Sequence, residues 1–215
     1  MAIHFKNPKA TFIHIPKTAG SSFQQWAKDN FENIIIGPHG YRHAKASDLK
    51  TQLGDLGYTF TFVRNPYARL VSMFYFIGQR AEERMEKRRQ GKKAKKSTNE
   101  YDDIKIIEQY NRGFEEYIYN LQNWDPNQPY EAGDRWYTRK TPMVEWLDEK
   151  TDLIIQVENI NEEFVKLQDL LNCKISLPHL NKSSHKNYRD YYNKTTKKIV
   201  EEIYKDDLET FGYKF

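Results

Sequence analysis

One stretch constrains this chain more than any other: Thr11 to Trp26, TFIHIPKTAGSSFQQW. An apolar run (Phe12, Ile13, Ile15) stops at Pro16. Lys17, Thr18, Ala19, Gly20, Ser21 and Ser22 then make a small-residue turn, after which Phe23 and Trp26 recur at helical spacing. The pattern predicts a strand, a tight loop and a helix start. A small-residue loop that opens a helix aims several main-chain N–H groups at one point, with the positive end of the helix dipole behind them. Such a place suits a phosphate or sulfate. Lys17 adds a full charge, and the hydroxyls of Thr18, Ser21 and Ser22 add donors that can wrap the same anion. In the triphosphate loop GxxxxGK[ST] the lysine follows the last glycine. Here Lys17 precedes Gly20 and no first glycine exists, so the cradle is of another design. The competing reading is a strand-to-helix turn in which Gly20 serves backbone geometry alone.

A second stretch repeats the arrangement. In Thr59 to Ile77, TFTFVRNPYARLVSMFYFI, a buried-type strand (Phe60, Phe62, Val63) runs into Arg64. Asn65 suits an N-cap and Pro66 the first helical position, with Leu70, Val71, Phe74 and Ile77 on one face beyond. Ser72 shares a helix face with Arg69, and Arg64 sits at the strand exit. Ligands of open α/β sheets bind at the carboxyl ends of strands. A nucleotide with two separated phosphates would fit both stretches.

IPKTAGSS followed by FVRNPYARLVS resembles the two signatures of sulfotransferases that use 3′-phosphoadenosine 5′-phosphosulfate (PAPS), and is most similar to carbohydrate O-sulfotransferases of the heparan sulfate 2-O-sulfotransferase type (sulfotransferase family 2). The resemblance implies that Pro16 to Ser22 hold the 5′-phosphosulfate and that Arg64 with Ser72 holds the 3′-phosphate. It implies adenosine 3′,5′-bisphosphate as the second product, and it requires no metal. Lys17 would stabilise charge on the leaving phosphate oxygen. Two histidines, His39 and His43, follow a short apolar strand at Asn33–Ile36; imidazole titrates near neutrality and suits proton transfer, although surface-loop histidines read the same way. The resemblance favours His43 as the catalytic base, with His39 in reserve near the acceptor. It also marks the polar, basic stretch from about 178 to 192 as a lid over the nucleotide, with Lys182, Ser184 and Arg189 as its contacts. VEN at Val157–Asn159 matches a family position, and Glu158 receives no catalytic role.

Composition enters at Arg80. From Arg80 to Thr98 nine basic residues stand against three glutamates, a net of +6 beside +4 for the whole chain, so basicity is local. Such a run is either a solvated, mobile arm or an electrostatic arm for a polyanion. Similarity to the heparan sulfate enzyme implies an acidic glycan acceptor, with Arg80 and Arg84 near it. Few aromatics interleave the run, which weakens a nucleic-acid reading.

The remaining pattern is helical from Asp103 through Leu121, loop-like from Trp124 to Tyr137, a strand at Leu153–Val157, and helical from Ile160 to Leu171 and from Ile199 to near Gly212. Cys173 is the only cysteine and reads as a small packed hydrophobe. The opening MAIHFKNPKA lacks a long apolar run and no stretch approaches a membrane span, which predicts a cytoplasmic chain, or a catalytic domain cut from a Golgi-type enzyme. Together these observations predict one α/β domain of 215 residues with a P-loop-like, three-layer fold and a mostly parallel central sheet flanked by helices. The expected activity is sulfuryl transfer from PAPS to a hydroxyl, with a glycan acceptor, no nucleic-acid partner and no metal. Two readings compete with it. A triphosphate kinase or hydrolase lacks the GK[ST] order and a clear strand-end Asp for magnesium; a non-enzymatic nucleic-acid binder would work through Arg80 to Lys96.

Overall fold

The computed structural model describes residues 1–37, 43–93, 99–124, 139–148, 150–178 and 185–215. The chain divides into two compact units: Met1–Asn65, Pro142–Lys182 and Asp206–Lys214 make the first, and Pro66–Thr141, Ser183–Lys205 and Phe215 the second.

The first unit is built on a five-stranded sheet of order β3-β1-β2-β4-β5, with β1 Ile3–Lys6, β2 Lys9–Ile13, β3 Ile34–Ile36, β4 Tyr58–Val63 and β5 Leu153–Gln156. β2–β4 and β4–β5 pair parallel, whereas β1 pairs antiparallel with both β2 and β3. The sheet is therefore mixed where a mostly parallel one was expected. The cause is β1 itself, a strand of only four residues that the sequence reading did not include. Only Asn7-Pro8 separates it from β2, and so short a connection returns a strand antiparallel. Because β1 is reversed against both neighbours, the other four strands still share one direction. Their carboxyl ends lie along one edge of the sheet, which carries His14 to Gly20 after β2, Gly37 after β3, Arg64 after β4 and Glu158 just beyond β5.

Helices cover both faces. Alternation along the strands sends Phe5, Phe12, Phe60 and Phe62 to one side, where Phe23 and Trp26 of α1 (Gly20–Asn30) meet them together with Leu167 of α7 (Val165–Leu170) and Phe164, the residue that joins α6 (Ile160–Glu163) to α7. Cys173 packs against this cluster, as expected of a small hydrophobe. Ile13 and Val63 face the other side, against Leu49 of α2 (Ala46–Leu53), Trp146 and Phe211 of α9 (Lys205–Phe211). Strand threonines lock the register: Thr61 Oγ1 donates to Ile13 O (2.8 Å) and Thr11 Oγ1 to Leu56 O (2.6 Å).

The second unit contains α3 (Pro66–Arg89), α4 (Glu100–Asn111), α5 (Phe114–Asn123) and α8 (Lys194–Ile203). The helix expected from Asp103 through Leu121 is two, because Gly113 takes φ 93°, a backbone conformation that ends α4 and starts α5. Residues 80–89, read as the start of a mobile basic arm, are the C-terminal part of α3. Ala81, Glu82, Glu83, Met85 and Glu86 are strong helix formers, and α4 gives the cations a partner: Asp103, with no solvent exposure, accepts from Arg84 Nε (2.8 Å) and from Arg88. Residues 94–98 and 125–138, the latter covering most of the stretch expected to be loop-like, lie outside the described residues.

Burial pushes the Asp103 carboxyl up, but hydrogen bonds and charge from Arg84 and Arg88 together outweigh it and hold the group below the usual carboxylate value. A carboxylate depressed in the fold adds stability above its unfolded pKa and loses it as pH falls through the folded value. Asp103→Ala is expected to lower stability by about 3–5 kcal/mol near neutral pH, measured by urea unfolding, and its deficit against the parent should close as pH drops below 3.8.

Candidate active site

The stretch from Ile13 to Gly20 turns the chain from β2 into α1 through two non-glycine residues in the left-handed region, Lys17 (φ 68°) and Ala19 (φ 60°). Each costs on the order of 1–3 kcal/mol and persists only where surrounding contacts impose it. Thr18, between them and without solvent exposure, donates its hydroxyl to Ile15 O (2.9 Å) and so closes the loop. That hydroxyl was expected to wrap an anion; what Thr18 can offer a ligand is its main-chain N–H. Ala19 O receives the N–H groups of Ser22 (3.0 Å) and Phe23 (3.2 Å), which leaves Gly20 and Ser21 at the helix start to present theirs outward. Left-handed residues interleaved in this way form a concave nest of N–H groups that suits an anion. Lys17 is half-buried, Ser21 exposed and Ser22 buried.

Packing beneath the loop comes from His14, which the sequence reading passed over. Its imidazole lies against Gly20 so closely that a Cβ there would stand 1.9 Å from Nε2, and it stacks on Phe12. The Met1 amino nitrogen lies 2.6 Å from its Nδ1. The His43 ring lies 4.5 Å away, centroid to centroid, and its Nδ1 is 3.1 Å from His14 O. A carbonyl only accepts, so His43 Nδ1 bears the hydrogen and the lone pair of the neutral ring falls on Nε2. Trp146 stands edge-on to His43, in a turn (Met143–Trp146) whose first N–H groups, of Met143 and Val144, donate to buried Asp207 (2.8 and 2.9 Å).

Farther along the same edge stands Arg64. Its guanidinium is half-buried and makes no hydrogen bond or ion pair with any described residue; burial pushes its pKa down, against the opposing influence of Glu158 and Tyr213. Glu158 is held from two sides, accepting Asn65 N–H at Oε1 (2.9 Å) and Tyr213 O–H at Oε2 (2.9 Å).

A family model described as "Sulfotransferase family" matches residues 2–214. The chain belongs to the sulfotransferase family. No curated protein and no solved structure matched it. The loop, the His14–His43 pair and Arg64 thus stand on one sheet edge of a sulfotransferase. The second unit carries four more of the residues singled out from sequence. Ser72 is buried on α3, Arg80 pairs with Glu83 (3.0 Å), Arg84 is engaged by Asp103, and Arg189 lies exposed over the Tyr188 ring (4.7 Å). His39, Lys182 and Ser184 lie outside the described residues. Among the described residues no cluster of three or more His, Cys, Asp or Glu could hold a metal ion, and no helix is long and apolar enough to cross a membrane.

Gly20→Ala should drive the new methyl into the His14 ring. The expected result is a loss of about 1–3 kcal/mol in thermal unfolding, with the ring-proton resonances of both His14 and His43 displaced in NMR spectra.

Proposed function

We propose that this sulfotransferase moves a sulfuryl group from PAPS to a hydroxyl, with a glycan as the acceptor class. The observation that carries the reading is the His43 ring, its Nδ1–H held by His14 O, on the same sheet edge as the nest of N–H groups at Lys17–Ser21. The nest and Lys17 suit the 5′-phosphosulfate, and Arg64, with no bonded partner among the described residues, suits the 3′-phosphate. We read the fold as P-loop-like because strand, anion loop and helix follow in that order at the carboxyl edge of the sheet.

His43 Nε2 would take the acceptor's hydroxyl proton as that oxygen forms its bond to sulfur. The bond between sulfur and the 5′-phosphate oxygen breaks, and Lys17 with the loop N–H groups would meet the negative charge left on the phosphate. The products are the sulfated acceptor, adenosine 3′,5′-bisphosphate and protonated His43. Sulfuryl transfer, like phosphoryl transfer, asks the protein chiefly for in-line positioning and charge stabilisation, and these residues supply both. The glycan class rests on the likeness to the heparan sulfate enzymes. No nucleic-acid partner is proposed, since two arginines of the basic run already share Asp103.

Removing a proton-transfer group costs about 10²- to 10⁴-fold in turnover. His43→Ala is therefore expected to keep its affinity for adenosine 3′,5′-bisphosphate while losing turnover on that scale, in an assay of sulfuryl transfer to a glycan hydroxyl. Near-normal turnover would remove His43 from the chemistry. Calorimetry should show magnesium-independent binding of the bisphosphate that weakens at least tenfold in Arg64→Ala, about the loss of one charge-assisted hydrogen bond. Tight magnesium-dependent ATP binding in its place would favour a kinase or hydrolase.

A further inference from the structure

Arg64 raises a physical question that the donor site alone does not answer. A half-buried guanidinium near a carboxylate ordinarily pairs with it, since bidentate Arg–carboxylate pairs are among the strongest polar contacts in proteins. Glu158 is close enough to influence Arg64 electrostatically, yet the two form no ion pair. Glu158 Oε1 takes the Asn65 N–H and Oε2 takes the Tyr213 hydroxyl, each at 2.9 Å. The Asn65 side chain is tied in turn to the last turn of the chain, its Nδ2 donating to Lys214 O (2.9 Å). Both Glu158 oxygens thus have partners other than the guanidinium.

We propose that Tyr213 is a positioning residue for donor binding: by holding Glu158 Oε2 it keeps the carboxylate off Arg64 and leaves the guanidinium N–H groups for the 3′-phosphate. This rests on the assignment of Arg64 to that phosphate. Without the Tyr213 hydroxyl, Oε2 loses its partner and would turn to Arg64, the residue next to the Asn65 N–H that holds Oε1, and the resulting internal ion pair competes with the ligand. Glu158 then acts as an intramolecular rival of the phosphate. While Tyr213 restrains it, the same carboxylate lends Arg64 a compensating charge at a distance that does not occupy its donors. The arrangement discriminates: it affects ligands that carry a 3′-phosphate and leaves those that lack one untouched.

The test is calorimetric titration with adenosine 3′,5′-bisphosphate and with adenosine 5′-monophosphate, which shares everything but the 3′-phosphate. Tyr213→Phe should weaken the bisphosphate about tenfold and leave the monophosphate unchanged. Glu158→Gln, which removes the rival charge, should bind the bisphosphate at least as well as the parent. In the double variant the Tyr213→Phe defect should vanish, because no carboxylate remains to capture Arg64. Thermal unfolding of each variant reports its folded state. A Tyr213→Phe defect that strikes both nucleotides equally, that persists in the Glu158→Gln background, or that is absent altogether overturns the proposal. If the parent protein does not prefer the bisphosphate, or Arg64→Ala leaves that preference intact, the donor-site assignment of Arg64 itself fails, and the role given to Tyr213 falls with it.

Discussion

The contact between the His14 imidazole and the bare Cα of Gly20 is the constraint on which the rest of this site depends. It brings the first residue of α1 down onto the exit of β2, closer than any side chain at position 20 would permit. The intervening residues must therefore make a short, strained turn. Lys17 and Ala19 accept left-handed backbone angles, and the Thr18 hydroxyl fixes the turn by bonding to Ile15 O. The same residue that seats the helix start also orients its neighbour, since the carbonyl of His14 receives Nδ1–H of His43. One residue thus sets the shape of the loop proposed to hold the anion and the tautomer of the ring proposed as base.

Strand direction explains how these pieces come to share an edge. β1 is the only strand that runs against the rest, and it is inserted between β3 and β2. A reversed strand in that position spaces β3 away from β2 without changing the end at which either of them finishes. Loops after β2, β3 and β4 and the turn after β5 consequently open on the same side, which is where ligands of α/β sheets bind. Aromatic packing of Phe5, Phe12, Phe60 and Phe62 against Phe23 and Trp26 holds α1 rigidly on that scaffold. A site that must hold transferring groups within a fraction of an ångström is better placed on such elements than on free loops.

Local chemistry made part of this legible in the sequence. The strand, loop and helix at Thr11–Trp26 are written in adjacent residues, as are the arginine at the exit of β4 and the proline that opens α3. β1 was not legible because it is only four residues long, too short for its alternation of Ile3 and Phe5 with His4 and Lys6 to stand out. The break at Gly113 was missed because apolar spacing continues across it while the backbone does not. His14 was passed over in the sequence, because its importance lies in what Gly20 lacks. Glu158 could not be interpreted from sequence, since its partners Asn65 and Tyr213 are 93 and 55 residues away in the chain. The pairing within the basic run was hidden for a similar reason: its charge is visible in composition, but Asp103, which neutralises part of it, belongs to the next helix.

The central claim, that the carboxyl edge of the sheet is a donor site assembled around the Lys17–Ser22 loop, is tested most directly by mapping amide resonances in ¹⁵N–¹H spectra during titration with adenosine 3′,5′-bisphosphate. The account predicts the largest shifts at Lys17 to Phe23, together with the Arg64 side-chain Nε–H. Saturable shifts confined to other parts of the chain, with those groups unmoved, would contradict it.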